Sequence, residues 1–80
     1  MTLTVLYFAG ARDASGRASE SIHVEARTVG EVLDALCARY PVLAARRGAL
    51  RLARNEVFAH LSEPVGEGDV IAVIPPVAGG

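Results

Sequence analysis

The segment TVGEVLDALCARY, residues 28–40, carries the strongest structural signal in the chain. Thr28 and Glu31 form a capping-box pattern, in which the Thr hydroxyl accepts from the N3 amide and the Glu carboxylate reaches back to the Thr28 amide. Pro41 disfavours helical geometry at Tyr40 and marks the end of the helix. The pattern therefore predicts a helix of about twelve residues with one apolar stripe, which must cover one face of a sheet. The stripe comprises Val29, Val32, Leu33, Leu36, Cys37 and Tyr40.

Strand patterns flank this helix on both sides. Before it, residues 2–9 are rich in β-branched and aromatic side chains, and residues 19–26 alternate polar and apolar side chains, so both are predicted strands. Residues 10–17, GARDASGR, contain two glycines and are predicted to form a loop. After the helix we expect a short irregular or helical turn over residues 42–48.

The second half of the chain supplies three further strands. Residues 49–53 alternate, with Arg51 pointing outward, and residues 57–60 form a short strand. Residues 69–74, DVIAVI, are apolar on both faces, as expected of a central strand. Pro75 cannot donate to a sheet ladder, so pairing should stop there.

This order of elements predicts an α+β domain of the β-grasp, or ubiquitin-like, arrangement over residues 1–74. We expect a mixed sheet of about five strands with one main helix packed on one face. A right-handed helix crossover would place the last strand beside the first, at the centre of the sheet. Residues 75–80 are predicted to form an extended tail.

Length and composition exclude several classes of protein. Eighty residues fit one domain, and eight basic against nine acidic residues argue against a nucleic-acid-binding module. The single cysteine, Cys37, excludes an intrachain disulfide framework. No apolar run approaches the roughly 18 residues of a membrane helix, and no basic segment precedes residues 3–9 as in a secretory signal. We therefore expect a cytoplasmic protein that binds no membrane.

An ordinary active site is not visible in the sequence. His23 and His60 lie on different predicted strands without ligand spacing, and Cys37 lies on the apolar side of the helix, where we expect it to be buried. Phosphate-binding loops and nucleophile-elbow motifs do not occur. We expect no bound metal, no bound cofactor and no catalytic side chain in this chain.

The segment PPVAGG directly after the last predicted strand is unusual. Two prolines hold the chain extended, and the small residues and glycines behind them would fit a narrow channel. We expect a stalk that presents a terminal carboxylate, which another protein would activate as an acyl-adenylate for attack by sulfur. A frayed chain end is the alternative. The six residues are Pro75, Pro76, Val77, Ala78, Gly79 and Gly80.

Several short matches run along the whole chain: VLYFA at residues 5–9 with Arg12 following, Thr28-Val29, Asn55, GEGDV at residues 66–70 and IPPVAGG at residues 74–80. On these residues the chain resembles the small, sulfur-carrier subunits of molybdopterin synthase, within the ubiquitin-like sulfur carriers. The Pro-Pro-Val-x-Gly-Gly ending is the most specific of the matches.

The resemblance implies a reaction cycle at Gly80. A ubiquitin-activating-type adenylyltransferase would use ATP and Mg²⁺ to adenylate the Gly80 carboxylate, and a sulfur donor protein would convert the adenylate to a thiocarboxylate. The tail would then enter the large synthase subunit, in a heterotetramer, and pass its sulfur to cyclic pyranopterin monophosphate to build the dithiolene of molybdopterin. Catalytic side chains would belong to the large subunit, so this chain would be a non-catalytic sulfur donor.

A partner-binding surface is also predicted. Because one helix covers only one sheet face, we assign Phe8 and Ile74 to the open face near the tail, and matching the family motif adds Phe58. Arg12 is predicted to make a polar contact at the rim of this surface. Packing of this second face under loops is the alternative. The core is predicted to include Val5, Ile71 and Val73.

Other functions share the same sequence features. The chain could carry sulfur for thiamine, tRNA thiolation or amino-acid biosynthesis instead. A ubiquitin-like modifier would use Gly80 to form an isopeptide bond with a substrate lysine. A pure binding module would have no use for the tail.

Overall fold

The computed structural model describes residues 1–76. The elements in chain order are β1 (Thr2–Tyr7), α1 (Gly10–Ser15), β2 (Ser19–His23), α2 (Val29–Arg39), α3 (Pro41–Ala45), a 3-10 turn (Arg47–Ala49), β3 (Arg51–Arg54), β4 (Val57–Ala59) and β5 (Val70–Ile74). Within these residues the strands form one mixed sheet in the order β2-β1-β5-β3-β4. The β1–β5 pair is parallel and the other pairs are antiparallel. The predicted β-grasp fold, with its last strand at the centre, is confirmed.

The main helix, α2, begins almost as its sequence predicts. The Thr28 hydroxyl accepts from the Glu31 amide at 3.2 Å, which is the first half of the capping box. The Glu31 carboxylate accepts instead from the amide of Arg27, at 3.0 Å, so the predicted return bond to Thr28 is wrong by one residue. Tyr40 has an extended backbone before Pro41, and the helix ends where proline was expected to end it.

The core lies between α2 and one face of the sheet. Val5, Ile71 and Val73 are fully buried, as predicted, on the two central strands. Burying one such aliphatic side chain stabilises the fold by about 1.5–3 kcal/mol. The other core side chains come from both helix and sheet: Leu3, Tyr7, Ala11, Ile22, Ala26, Val29, Val32, Leu33, Leu36, Leu43 and Leu52.

The predicted loop over residues 10–17 is wrong, because the segment folds as the short helix α1. Ala11 and Ser15 are buried, so the helix is fixed by packing against the core. Gly16 has a left-handed backbone with φ 77° and donates its amide to the Arg12 carbonyl at 2.8 Å, which closes the helix. The sequence pattern did not predict this helix for two reasons. Ala11 contributes little to a hydropathy pattern, and the glycine that caps the helix has the same sequence signal as a glycine in a loop.

A charged cluster fastens β1, β2 and the end of α2 together. The hydroxyls of Tyr7 and Tyr40 both donate to one carboxylate oxygen of Glu20 at 2.6 Å. Arg17 and Arg39 lie 3.3 and 3.5 Å from its other oxygen. The Glu20 side chain is only 8% exposed, so the arrangement holds a carboxylate at the edge of the core.

The cluster changes the titration of all three acidic groups. Burial would raise the pKa of Glu20, but hydrogen bonds from Tyr40 and Tyr7 and the two arginines overcome this effect, and the pKa is lowered. Burial, followed by the contacts with Glu20, raises the pKa of Tyr7. The hydrogen bond to Glu20, followed by burial, raises the pKa of Tyr40. The cluster is therefore held in one protonation state across neutral pH.

Glu20→Gln should lower the free energy of unfolding at pH 7 by about 2–3 kcal/mol, because charge-assisted hydrogen bonds are lost. Since the folded pKa of Glu20 lies below its unfolded value, its contribution is complete above about pH 4.3 and disappears as the pH falls through the folded pKa. Urea unfolding at pH 7 and pH 3 should show the difference between wild type and variant shrinking in acid. The exposed Glu25→Gln is the control and should match wild type. A difference equal at both pH values would contradict this role of the Glu20 charge.

Candidate functional site: a groove on the uncovered sheet face

The face of the sheet opposite α2 contains an apolar groove, which arises from side-chain size. Strand register places Leu6, Ala72, Ala53 and Phe58 in one row across β1, β5, β3 and β4. The two central positions are alanines and the outer ones are large, so the row has a low middle and raised sides. We call this depression, of about 270 Å³, the open-face groove. It is lined by Leu6, Phe8, Ala53, Glu56, Phe58, Val70, Ala72 and Ile74.

One end of the open-face groove lies where the chain leaves the sheet. Ile74 is the last residue of β5, and the Phe8 amide donates to the Val73 carbonyl at 3.2 Å, so Phe8 lies beside that strand end. Phe8 is 44% exposed. Pro75 is buried and Pro76 is exposed, so the chain becomes accessible to solvent two residues beyond the end of the strand.

The remaining half of the open face is polar. The exposed residues Ser19, Ser21 and His23 of β2 pair with Leu6, Thr4 and Thr2 of β1. The apolar side chains on this face that are at least partly accessible therefore lie on β5 and β4 and at the end of β1, at Leu6 and Phe8. Such a patch, bordered by polar residues, is typical of an interaction surface.

The wall of the groove on β4 is a single aromatic ring. Phe58 is 55% exposed, and the Arg51 guanidinium lies over it, 4.4 Å from the ring centroid. This cation–π contact restrains a ring that also lines the groove.

The turn between β3 and β4 is tied firmly to β5. Asn55 donates its side-chain amide to Asp69 at 3.1 Å, and its oxygen accepts from the Val70 amide at 2.9 Å. The second Asp69 oxygen accepts from the Gly66 amide at 2.8 Å. The hydrogen bond from Asn55, which has the larger effect, and the hydrogen bond from Gly66 both lower the pKa of Asp69. The network holds the turn in a fixed position beside the start of β5.

The structure brings some of the predicted site residues together and separates others. Phe8, Phe58 and Ile74 line the same groove, while Arg12 is exposed on α1 and does not line it. Binding of a partner at these positions stays a prediction. The tail residues Val77, Ala78, Gly79 and Gly80 lie outside the described residues. Five lining residues were not among the predicted site residues: Leu6, Ala53, Glu56, Val70 and Ala72. For Ala53 the available signal was its position two residues after the outward Arg51, on the same face of the strand.

The candidate side chains for other chemistry are scattered. His23 and His60 are exposed on separate parts of the fold. Cys37, expected to be buried, is partly exposed and packs against the core. Residues 1–76 contain no group of three or more His, Cys, Asp or Glu side chains placed to hold a metal ion. In the same part of the chain, none of the helices has the length and apolar character needed to cross a membrane.

A mixed five-stranded sheet with one main helix on one face defines the class of β-grasp, ubiquitin-like proteins. The crystal structure of SAMP1 from Haloferax volcanii matches with a TM-score of 0.87 and 31% identity, covering 100% of both chains. A model of the ThiS family matches residues 5–80. The chain belongs to the ThiS family.

Two further comparisons concern molybdopterin proteins. The molybdopterin synthase sulfur carrier subunit of Mycobacterium tuberculosis is 39% identical over 80 residues, covering 98% of this chain and 96% of that protein. A solved protein–protein complex of subunits 1 and 2 of the molybdopterin-converting factor from Helicobacter pylori contains a chain that matches with a TM-score of 0.69. That chain is 27% identical, and the match covers 100% of both chains.

Asp69→Ala should lower the free energy of unfolding by about 1–2 kcal/mol, because two hydrogen bonds to a charged carboxylate disappear. Hydrogen exchange at the Gly66 amide should become faster than in wild type. Since the folded pKa of Asp69 is lowered, the wild type should lose the same contribution as the pH falls below about 3.9. Glu25→Ala, a matched change at an exposed position, should alter neither measurement. Unchanged exchange at Gly66 in Asp69→Ala would show that the network does not hold the turn.

Proposed function

We propose that this chain is the sulfur carrier subunit of a molybdopterin synthase and works in the cytoplasm. The observation that supports this best is the position of the open-face groove, whose Phe8 and Ile74 end lies where the chain leaves β5 toward PPVAGG. A partner that occupies the groove is thereby adjacent to the base of the tail. The 39% identity to a sulfur carrier subunit of this kind supports the same function.

The proposed reaction takes place at the Gly80 carboxylate. An adenylyltransferase of the ubiquitin-activating type, using ATP and Mg²⁺, joins the carboxylate to AMP and releases pyrophosphate. Hydrosulfide supplied by a sulfur donor protein then attacks the acyl carbon, AMP leaves, and a thiocarboxylate results. If a donor persulfide attacks instead, AMP leaves from an acyl disulfide, and a thiol must reduce its S–S bond to release the thiocarboxylate. The chain itself binds neither nucleotide nor metal in this scheme.

Sulfur transfer takes place in the large subunit. The thiocarboxylate sulfur passes to cyclic pyranopterin monophosphate, and water restores the carboxylate. Two charged carriers are needed for each dithiolene, which contains two sulfur atoms. In this scheme the residues of the groove bind the large subunit and position the tail, and the large subunit supplies the catalytic side chains.

The open-face groove is the proposed seat of the large subunit in a heterotetramer. The H. pylori complex of subunits 1 and 2 supports a partner of this kind. An apolar side chain of the partner would fill the groove over the alanine floor, with Phe8, Phe58 and Ile74 around it. Buried aromatic contacts of this type supply most of the binding energy at interfaces. Arg12, on α1, would contact the partner outside the groove.

Protein modification is the second candidate function. SAMP1 of H. volcanii is a small archaeal modifier protein, and it has the same fold over the full chain. In that case the activated Gly80 would form an isopeptide bond with a lysine of another protein. Conjugates of an N-terminally tagged chain in a cell lysate would support modification, and conversion of the pterin precursor by chain and large subunit would support sulfur transfer.

Intact-mass spectrometry provides the direct test of the carrier function. With ATP, Mg²⁺, the activating enzyme and sulfide, the chain should gain the mass difference between a sulfur and an oxygen atom. A variant lacking Gly79 and Gly80 should gain nothing, because the reacting carboxylate is displaced. Absence of the gain in the full chain, with an activator that charges its own carrier, would rule out this function.

Phe8→Asp should abolish co-elution with the large subunit while leaving the melting temperature close to that of wild type, because Phe8 is already 44% exposed. A carboxylate placed in the apolar contact has to be desolvated without a partner. Val42→Asp is the matched control, since Val42 is 51% exposed on α3 and does not line the groove. It should co-elute as wild type does. Equal co-elution of both variants would mean that the large subunit binds elsewhere.

A further inference from the structure

Glu56 occupies a backbone position that favours glycine. Asn55 and Glu56 form the two-residue turn between β3 and β4, with φ values of 51° and 72°. Both positive values correspond to a type I′ hairpin turn, whose second central residue is commonly glycine. A residue with a Cβ atom is less stable in this conformation by about 1–2 kcal/mol. The chain therefore carries a glutamate at a position where glycine would make the fold more stable.

The Glu56 carboxylate is also unused within residues 1–76. The side chain is exposed, lines the open-face groove, and makes no hydrogen bond or ion pair with another described residue. The nearest basic residues along β3 are engaged elsewhere: Arg51 stacks on Phe58, and Arg54 contacts the Pro64 carbonyl and Glu63. Its neighbour Asp69 is bound to Asn55 and Gly66.

The position of Glu56 gives the open-face groove two different ends. The Asn55 side chain ties the turn to Val70, at the start of β5, whereas Ile74 ends that strand. Four residue steps along a strand span about 13 Å. The groove lining thus carries a carboxylate at the Val70 end, whereas at the other end the lining is apolar and the exposed Arg51 pairs with Ile74 at its border.

We propose that Glu56 is a specificity-determining residue that orients the large subunit on this surface by binding a lysine or arginine of that partner. A carboxylate at the border of an apolar contact loses hydration when the partner docks, and a cation on the partner offsets this cost. The partner surface would therefore place its apolar side chain in the groove and its cation at the Val70 end. That end lies about 13 Å along β5 from Ile74, after which the tail begins. Docking in the reverse direction would bring that cation to the Ile74 end, which has Arg51 at its border and no carboxylate in its lining. This inference rests on the proposed function.

The test compares Glu56→Gln with Glu25→Gln in binding to the large subunit. Both variants remove one exposed carboxylate, but only Glu56 lines the groove. Glu56→Gln should bind about threefold to fivefold more weakly at low salt, which is the range of an exposed ion pair. Most of the change should appear in the association rate and should vanish at high salt. Glu25→Gln should bind as wild type does at both salt concentrations.

Glu56→Gly separates binding from folding. It should raise the melting temperature by a few degrees, because the turn loses its strain, while weakening binding as much as Glu56→Gln. A merely structural residue would show both properties moving in the same direction.

Three results would overturn the inference. The first is binding of Glu56→Gln within experimental error of wild type, with the same salt dependence. If Phe8→Asp still abolishes that binding, the docking surface stands and only the role of Glu56 is lost; if Phe8→Asp also binds normally, the docking surface itself is wrong. The second is an equal loss in Glu25→Gln, which would indicate a general charge effect. The third is a dimer of the isolated chain that Glu56→Gln dissociates, which would make a second copy the occupant.

Discussion

The structure depends on the parallel pairing of its first and last strands. β1 and β5 occupy the centre of the sheet, and the paired residues Val5 with Ile71 and Tyr7 with Val73 are almost completely buried. β2 pairs with β1, β3 pairs with β5, and β4 joins the sheet through β3. Bringing together segments so distant in sequence costs loop-closure entropy, and burial against α2 provides the compensating free energy. The edge of this arrangement is fixed by Glu20, where two tyrosines and two arginines converge on one carboxylate.

The same architecture accounts for the exposed surface. One main helix covers one face of the sheet, so the strand residues pointing the other way need either solvent or a partner. On the β2 side they are polar, and on the other side Ala53 and Ala72 form the floor between larger side chains. The groove therefore results from two small residues in register on adjacent strands, and its boundary follows from where the side chains become polar.

Periodicity and end signals were sufficient to predict most of the fold. The helix after Thr28 and the central β5 follow from patterns within a few residues, and the open-face positions of Phe8 and Ile74 follow from alternation. The helix α1 was missed because its buried contacts are made by Ala11 and Ser15, which carry little hydrophobic signal. Glu56 could not be recognised, since its place at the groove depends on strand register and on a turn held by Asn55 and Asp69. Arg12 was assigned to the partner-binding surface from a match to the family motif. Such a match does not show which face of the fold a side chain occupies.

The central position of β5 also bears on how the molecule is made. During synthesis β1 appears first, and its neighbour on the inner side is missing until residues 70–74 have been added. Until then β3 and β4 have no strand that joins them to β1, and half of the central core layer is absent. A prematurely terminated product would remain unfolded and be open to proteolysis. Folding thus selects for chains translated past β5, which are the chains that continue into the segment proposed to carry sulfur.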